Sequence, residues 1–342
     1  MKAMLLKQVR NLQSSSAPLE LEDVPIPVPG SGEILLRVAV CGVCHTELDE
    51  IEGRTRPPQL PVVPGHQVIG YVEQMGSGVT SVAVGQRLGV AWIFSACGTC
   101  DQCTTGNENL CPHFCATGRD VNGGYAEYMV APAAFAHRIP KQFTDAEAAP
   151  LLCAGAIGYR SVQLTNLQDG QTLGLTGFGA SAHLVLKMVK HRFPNSPVYV
   201  FARSEIEREF AETLGATWTG DTTASPPSSP HAIIDTTPAW EPVLAALRVL
   251  APAGRLIINA IRKEPNDRHL LASLDFSSHL WMEKVIKSVA NVTRNDVREF
   301  LRLASTIPLK PDFQEYPLLE ANIALSELKA RRIRGAKVLR IS

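Results

Sequence analysis

Four cysteines with the spacing Cys97-x2-Cys100-x2-Cys103-x7-Cys111 constrain this chain more than any other feature. Thiolates two residues apart in a turn converge on one ion, and four of them close a tetrahedral shell with no open position. Such a site stabilises a loop that has little core of its own. A zinc ribbon or an iron–sulfur cluster would use the same four thiolates. A closed all-thiolate shell is structural, so any chemistry must lie elsewhere in the chain.

The 342 residues exceed what one hydrophobic core usually serves, and two domains are expected. The 33 basic and 33 acidic residues cancel, which gives no reason to expect a nucleic acid or other polyanionic partner. No run of 18 apolar residues occurs, and the start Met1-Lys2-Ala3-Met4-Leu5-Leu6-Lys7 is too short and too charged for a signal peptide. The expectation is a cytoplasmic protein with no membrane partner. In a reducing compartment the clustered cysteines favour metal binding over disulfides.

Up to about residue 150 the chain reads as β-rich, with short apolar runs such as Ile34–Val40 bounded by Gly and Pro. The Pro-rich stretch from Pro57 to Pro64 is a loop leading to His66. Beyond it the rhythm changes. Strands are expected at 171–176, 198–202, 232–235 and 255–260, and helices at 183–191, 205–214 and 241–250. A Ser/Pro-rich loop covers 222–230. Strands alternating with helices indicate a parallel sheet with crossovers. The tail ends in Ala336-Lys337-Val338-Leu339-Arg340-Ile341, a terminal strand expected to rejoin the first domain.

Gly177-Phe178-Gly179-Ala180-Ser181-Ala182 stands between an expected strand and helix. This Gly-x-Gly-x-x-Ala in a βαβ rhythm is a dinucleotide fingerprint. Gly177 makes the tight turn, Gly179 lets the pyrophosphate approach the helix N-terminus, and Ala182 takes the permitted last position. The next strand ends Val200-Phe201-Ala202-Arg203-Ser204, so Ala202 occupies the place where NAD-preferring chains carry Asp or Glu. Arg203, Ser204 and Arg208 supply donors for a 2′-phosphate. NADP(H) is therefore favoured. NAD(H) is the alternative, with Glu205 or Glu207 binding the ribose.

A catalytic zinc takes three protein ligands and keeps one open position, and two cysteines with one histidine form a known set. Cys44, His66 and Cys153 are candidates, but their spacing alone does not show that they meet. Each also has a plain reading as a core thiol or a hydrogen-bonded imidazole.

Several motifs agree with one family. They include Cys41-Gly42-Val43-Cys44-His45-Thr46, Gly65-His66-x-x-x-Gly70 with Gly76 and Val79, and the four-cysteine loop. Gly123-Gly124-Tyr125-Ala126-Glu127-Tyr128, Leu151-Leu152-Cys153-Ala154-Gly155, residues 177–184 and Arg332-Ile333-Arg334-Gly335 agree as well. Across nearly its whole length the chain resembles the zinc-dependent medium-chain alcohol dehydrogenases, in particular a bacterial cinnamyl-alcohol-dehydrogenase-like branch. The resemblance implies an α/β protein. A GroES-like, mostly-β catalytic domain would span 1–150 and 295–342, and a Rossmann domain with a doubly wound parallel sheet would span 151–294. It implies two Zn2+ per chain, catalytic at Cys44, His66 and Cys153, and structural at Cys97, Cys100, Cys103 and Cys111. Cys41 and Cys115 are left as non-ligands. His45 and Arg334 would contact the pyrophosphate, and Thr46 would start a proton relay that Asp49 ends. Trp92 would form part of the pocket wall.

The implied activity is hydride transfer between a primary, possibly aromatic, alcohol or aldehyde and the nicotinamide, by a homo-dimer or homo-tetramer. Three residues beside the ligands depart from the family pattern. Glu47 stands for an Asp that orients a ligand, Asp49 for the relay His, and Gln67 for the Glu of Gly-His-Glu. An ordinary Asp titrates near ~4 and a His near ~6.5, so Asp49 is a poor shuttle at neutral pH. These departures leave open a zinc- and nucleotide-binding protein with little turnover. A zinc-free quinone or enoyl reductase of the same superfamily is a third reading, which conflicts with Cys44, His66 and Cys153.

Overall fold

The computed structural model describes residues 1–12, 17–330, 332 and 335–342. They form two compact units, Met1–Ala156 with Asn291–Ser342, and Ile157–Ala290. No helix among the described residues is long and apolar enough to cross a membrane.

The first unit is built on β1 (Glu33–Val43), β2 (Val68–Met75), β3 (Arg87–Val90), β4 (Tyr128–Pro132) and β5 (Ala136–Arg138). β1 pairs antiparallel with β2 and β4, β2 with β3, and β3 with β5. Along β1 every residue from Ile34 to Val43 except Arg37 is buried, because the run carries apolar side chains to both faces. Helix α1 (His45–Ile51) follows directly, with Cys44 as its N-cap.

Register then fixes the site. Cys41 pairs with Val68, so Cys44 just beyond β1 and His66 just before β2 leave the sheet at the same end. Gly65 makes the turn into His66 with φ at 101°. A Cβ there would lie 2.4 Å from the Tyr125 ring and 2.9 Å from the Cys41 sulfur.

The second unit holds β6 (Leu173–Thr176), β7 (Val198–Phe201), β8 (Trp218–Gly220), β9 (Ala232–Asp235), β10 (Arg255–Ile258) and β11 (Val285–Ser288). All neighbouring pairs are parallel, in the order β8-β7-β6-β9-β10-β11. This is the doubly wound 3-2-1-4-5-6 order of dinucleotide-binding folds. The crossovers carry α2 (Ala180–Arg192), α3 (Glu205–Thr213) and α4 (Glu241–Val249). Helix α2 begins a turn earlier than its apolar spacing suggests, because Gly179 is its N-cap and Ala180-Ser181-Ala182 form its first turn. The strands β8 (Trp218–Gly220) and β11 (Val285–Ser288) lack the buried apolar run that marks the other four strands, so no sequence pattern shows them.

The chain then returns to the first unit with α5 (Arg294–Ala304), β12 (Phe313–Pro317), α6 (Ala321–Lys329) and β13 (Ala336–Arg340). The C-terminal strand β13 pairs antiparallel with β1, with Leu339 opposite Cys41, and β12 adds to β13 in parallel. Cys41 thus lies between two neighbours at the rim of the site.

Replacing Gly65 by Ala combines a left-handed φ with a clash against an aromatic ring. The Gly65→Ala variant is expected to lose about 3 kcal/mol of unfolding free energy. Urea titration followed by circular dichroism checks this, and an unchanged midpoint would refute it.

Candidate functional site

Cys97, Cys100, Cys103 and Cys111 offer four sulfurs within 4.8 Å of one another. Cys97 lies 3.9 Å from Cys103 and 3.5 Å from Cys111, and Cys100 lies 3.8 Å from Cys111. A tetrahedron with metal–sulfur bonds of about 2.3 Å has edges of about 3.8 Å, so the four sulfurs fit a structural zinc. All four are free thiols. Backbone N–H groups of Cys97 and His113 donate to the Cys111 sulfur, and that of Cys100 to the Cys97 sulfur, at 3.3–3.4 Å. The N–H groups of Thr99 and Cys100 hold the Cys97 thiol down at about 5. Loss of solvation pushes the Cys103 thiol up to about 12.

Cys44, His66 and Cys153 form the second cluster, again with ligand atoms within 4.8 Å of one another. Cys153 comes from the far side, after the short turn Ala149–Leu152 and just before the helix that starts at Ala154. Its sulfur lies 3.2 Å from His66 Nε2. Glu47 sets the imidazole. One carboxylate oxygen accepts the backbone N–H of Cys44 at 2.8 Å, and the other meets His66 Nδ1 at 2.5 Å. With Nδ1 taken, Nε2 faces the two sulfurs, the arrangement of a metal-ligating histidine with a carboxylate behind it.

The electrostatics fit a cation. A hydrogen bond from Cys153 holds the Cys44 thiol well below its usual range against the effect of burial, and the same contact pushes Cys153 well up. Burial disfavours the charged form of His66, yet Glu47 and Cys44 hold it well above its ordinary value. Glu50 is 1% exposed, and neither of its carboxylate oxygens has a hydrogen-bond partner among the described residues. Two thiols and two buried acids around one imidazole are costly without a positive ion.

The Thr46 hydroxyl is buried 3.7 Å from the Cys44 sulfur, and His45 is exposed at the start of α1. Asp49 is buried and accepts from Arg54 Nε at 2.6 Å. Arg54 also binds Glu52, which in turn binds Lys329. Trp92 packs edge-on to His66, with ring centroids 6.4 Å apart, and against Phe114 at 5.4 Å. Sequence reasoning passed over Glu50 and Arg54. Glu50 stands one helical turn after Glu47 and Thr46, a spacing that puts it on their face of α1.

In the second unit Gly177 turns from β6 towards α2 with φ at 75°. Gly179 has nothing within 4 Å of a Cβ position, so the backbone at the head of α2 is open to an approaching group, whereas Ala182 is fully buried. Arg203 is exposed just beyond β7, and Ser204 is the N-cap of α3. Arg208 reaches back from α3 and donates to the carbonyls of Ala202 and Arg203 at 2.7 and 3.1 Å. Arg334 lies outside the described residues.

Residues 30–141 match the model of the alcohol dehydrogenase GroES-like domain. A probable alcohol dehydrogenase AdhA from Mycobacterium tuberculosis is 41% identical over 333 residues, covering 95% of this chain and 94% of that protein. The chain belongs to the zinc-dependent medium-chain alcohol dehydrogenase family. An alcohol dehydrogenase from Geobacillus stearothermophilus is 30% identical over the full length of both chains. Among solved structures, a cinnamyl alcohol dehydrogenase from Sorghum bicolor superposes with a TM-score of 0.85 at 26% identity, covering 99% of this chain and 97% of that one.

In this family member the Glu47 carboxylate serves a helix cap and a metal-site histidine at once. Glu47→Gln is expected to weaken zinc binding 10–100-fold, the usual effect of removing a partner behind a ligand. Competition against a chromogenic chelator measures it, and wild-type affinity would refute the role.

Proposed function

We propose that this alcohol dehydrogenase interconverts primary, possibly aromatic, alcohols and their aldehydes with NADP(H), using two zinc ions per chain. The observation that carries the reading is the triangle of Cys44, His66 and Cys153, with Glu47 fixing the imidazole. Three protein donors leave one position for a substrate oxygen. Zinc held there supplies Lewis acidity towards that oxygen. Two thiolates and one imidazole keep the site formally neutral, which moderates that acidity.

The chain's own residues do the rest. A bound nicotinamide would supply or accept the hydride, so the chain's own part would mainly be to position substrate and ring. Thr46, buried beside Cys44, takes and returns the hydroxyl proton. Asp49 occupies the relay's end, where it accepts a hydrogen bond from Arg54. The Trp92 ring forms a wall next to His66. His45 and Arg334 serve the pyrophosphate, as do the open backbone at Gly179 and the turn at Gly177. The Cys97–Cys111 thiolates hold the second, structural zinc.

NADP(H) is favoured because Ala202 offers no carboxylate to repel a 2′-phosphate. Arg203 and Ser204 stand at the same strand end, and Arg208 places its guanidinium on the carbonyls there. NADPH use favours aldehyde reduction in the cell, which we place in the cytoplasm.

Initial rates with NADPH and NADH on benzaldehyde, cinnamaldehyde and acetaldehyde, measured alongside zinc per chain, test this reading. Two zincs and faster NADPH-dependent reduction are expected. Two zincs without turnover on any aldehyde would instead support a binding protein.

We further propose a homo-oligomer. β11 ends the parallel sheet with an open edge and exposes Ile286, close in sequence to exposed Trp281 and Met282. An open apolar edge of this kind favours pairing with a second copy. Light scattering is expected to give a dimer or tetramer for the native chain and a smaller species for Ile286→Lys. A native monomer would end the proposal.

A further inference from the structure

Away from the metal centres, the first unit carries a groove of about 960 Å³ between α5, the segment that follows β4, and the four-thiolate loop. Its charge is one-sided. Arg294, Arg298 and Arg302 line it at i, i+4 and i+8, so they form a stripe along one face of α5, and Arg138 faces them from the end of β5. The one acid among the lining residues is Glu108.

That acid is already spent. Arg294 grips Glu108 with Nε at 3.0 Å from both oxygens, its terminal nitrogen at 2.6 Å and its backbone N–H at 2.7 Å. Among the described residues Arg298 and Arg302 have only Glu299 at 3.9 Å as an ionic partner, and the Arg298 guanidinium also reaches the Asn295 side chain. Arg138 gives one hydrogen bond, to the Ser81 carbonyl at 3.4 Å.

Like charges four apart destabilise a helix, so the stripe costs the fold something unless an anion answers it. His137, on the groove wall, reports the same field. It is 8% exposed and its Nε2 has no hydrogen-bond partner among the described residues. Burial, then Arg294 and Arg298, depress it to about 4, which keeps the imidazole neutral. Ile139 and Leu301 add apolar wall, and the volume exceeds what a single inorganic ion fills.

We propose that this groove is a second binding site, for a small, multiply charged phosphate compound whose oxyanions pair with Arg138, Arg298 and Arg302. Guanidinium groups suit this ligand because each offers two parallel N–H donors to a phosphate. The site lies wholly within the first unit and does not depend on which alcohol or dinucleotide the enzyme uses.

The test is isothermal titration of the full-length protein with inorganic tripolyphosphate and, separately, with fructose 1,6-bisphosphate, at low ionic strength. Arg298 and Arg302 have exposed side chains, so Arg298→Glu/Arg302→Glu is expected to fold normally, and circular dichroism verifies this. The double variant is expected to weaken binding about a hundredfold, roughly tenfold per lost charge-assisted contact. Arg203→Glu, at the nucleotide cradle, is expected to leave it unchanged. Preference for tripolyphosphate assigns the groove to a condensed phosphate, and preference for the bisphosphate to a phosphate ester; either supports the site. No binding of either compound overturns the proposal. So does binding lost in Arg203→Glu but kept in the double variant, which would put the anion in the dinucleotide cradle.

Discussion

The two oxygens of the Glu47 carboxylate bind different things, and much of the first unit's geometry depends on that division. One closes the capping box of α1 on the Cys44 amide, and the other holds His66 Nδ1. The strand pairing brings Cys44 and His66 to the same end of the sheet, but it does not fix the rotation of either side chain. Glu47 does so for both, since the capped amide sets the start of the helix and the occupied Nδ1 leaves only Nε2 for the sulfurs. Its length matters here. The side chain must span from the third position of the helix back to the cap and across to the neighbouring strand. Glu47 and His66 are both buried, so the contact between them is shielded from competing water, while the contact to the Cys44 amide is half-buried.

The two thiolate sites are held by different means. At Cys97–Cys111 the sulfurs take their donors from the backbone N–H groups of the same loop, a local device that needs no distant residue. That suits a closed site in a segment with few buried apolar side chains. At Cys44, His66 and Cys153 the donors come from residues up to 109 positions apart, and they meet only after β1, β2 and the turn before Ala154 have packed. A site built from such distant segments depends on the packing of the whole unit.

This contrast explains what the sequence disclosed. The four-cysteine loop was legible from spacing alone, because its geometry is local. The parallel sheet was legible as alternating patterns, with β8 and β11 escaping notice because neither carries a buried apolar run. The Cys44–His66–Cys153 cluster needed the resemblance to a family, since nothing in local spacing says that a thiol at 153 meets an imidazole at 66. The Arg54 partner of Asp49 and the solitude of Glu50 were not legible at all. Both depend on which way side chains point from a helix buried along almost its whole length. Lys337 is a similar case, buried in β13 and answered by Glu327 and Tyr316.

The acids on α1 also give a physical reason for Gln67. Glu47 answers His66, and Asp49 is answered by Arg54, whose charge is shared with Glu52 and through it with Lys329. Glu50 has no hydrogen-bond partner among the described residues, and burial and then the charge of Glu47 push its carboxyl well up, against the smaller opposing effects of His66 and Arg119. An unpaired carboxylate in a low-dielectric interior costs several kcal/mol. A second one next to the same histidine would add its own desolvation and its repulsion from Glu47 and Glu50. Gln67 keeps the shape of the usual Glu without that charge, and it packs so closely on Gly42 that a Cβ there would lie 2.7 Å from its Cδ. A neutral amide at 67 therefore spares the site a further buried acid beside Glu47 and Glu50.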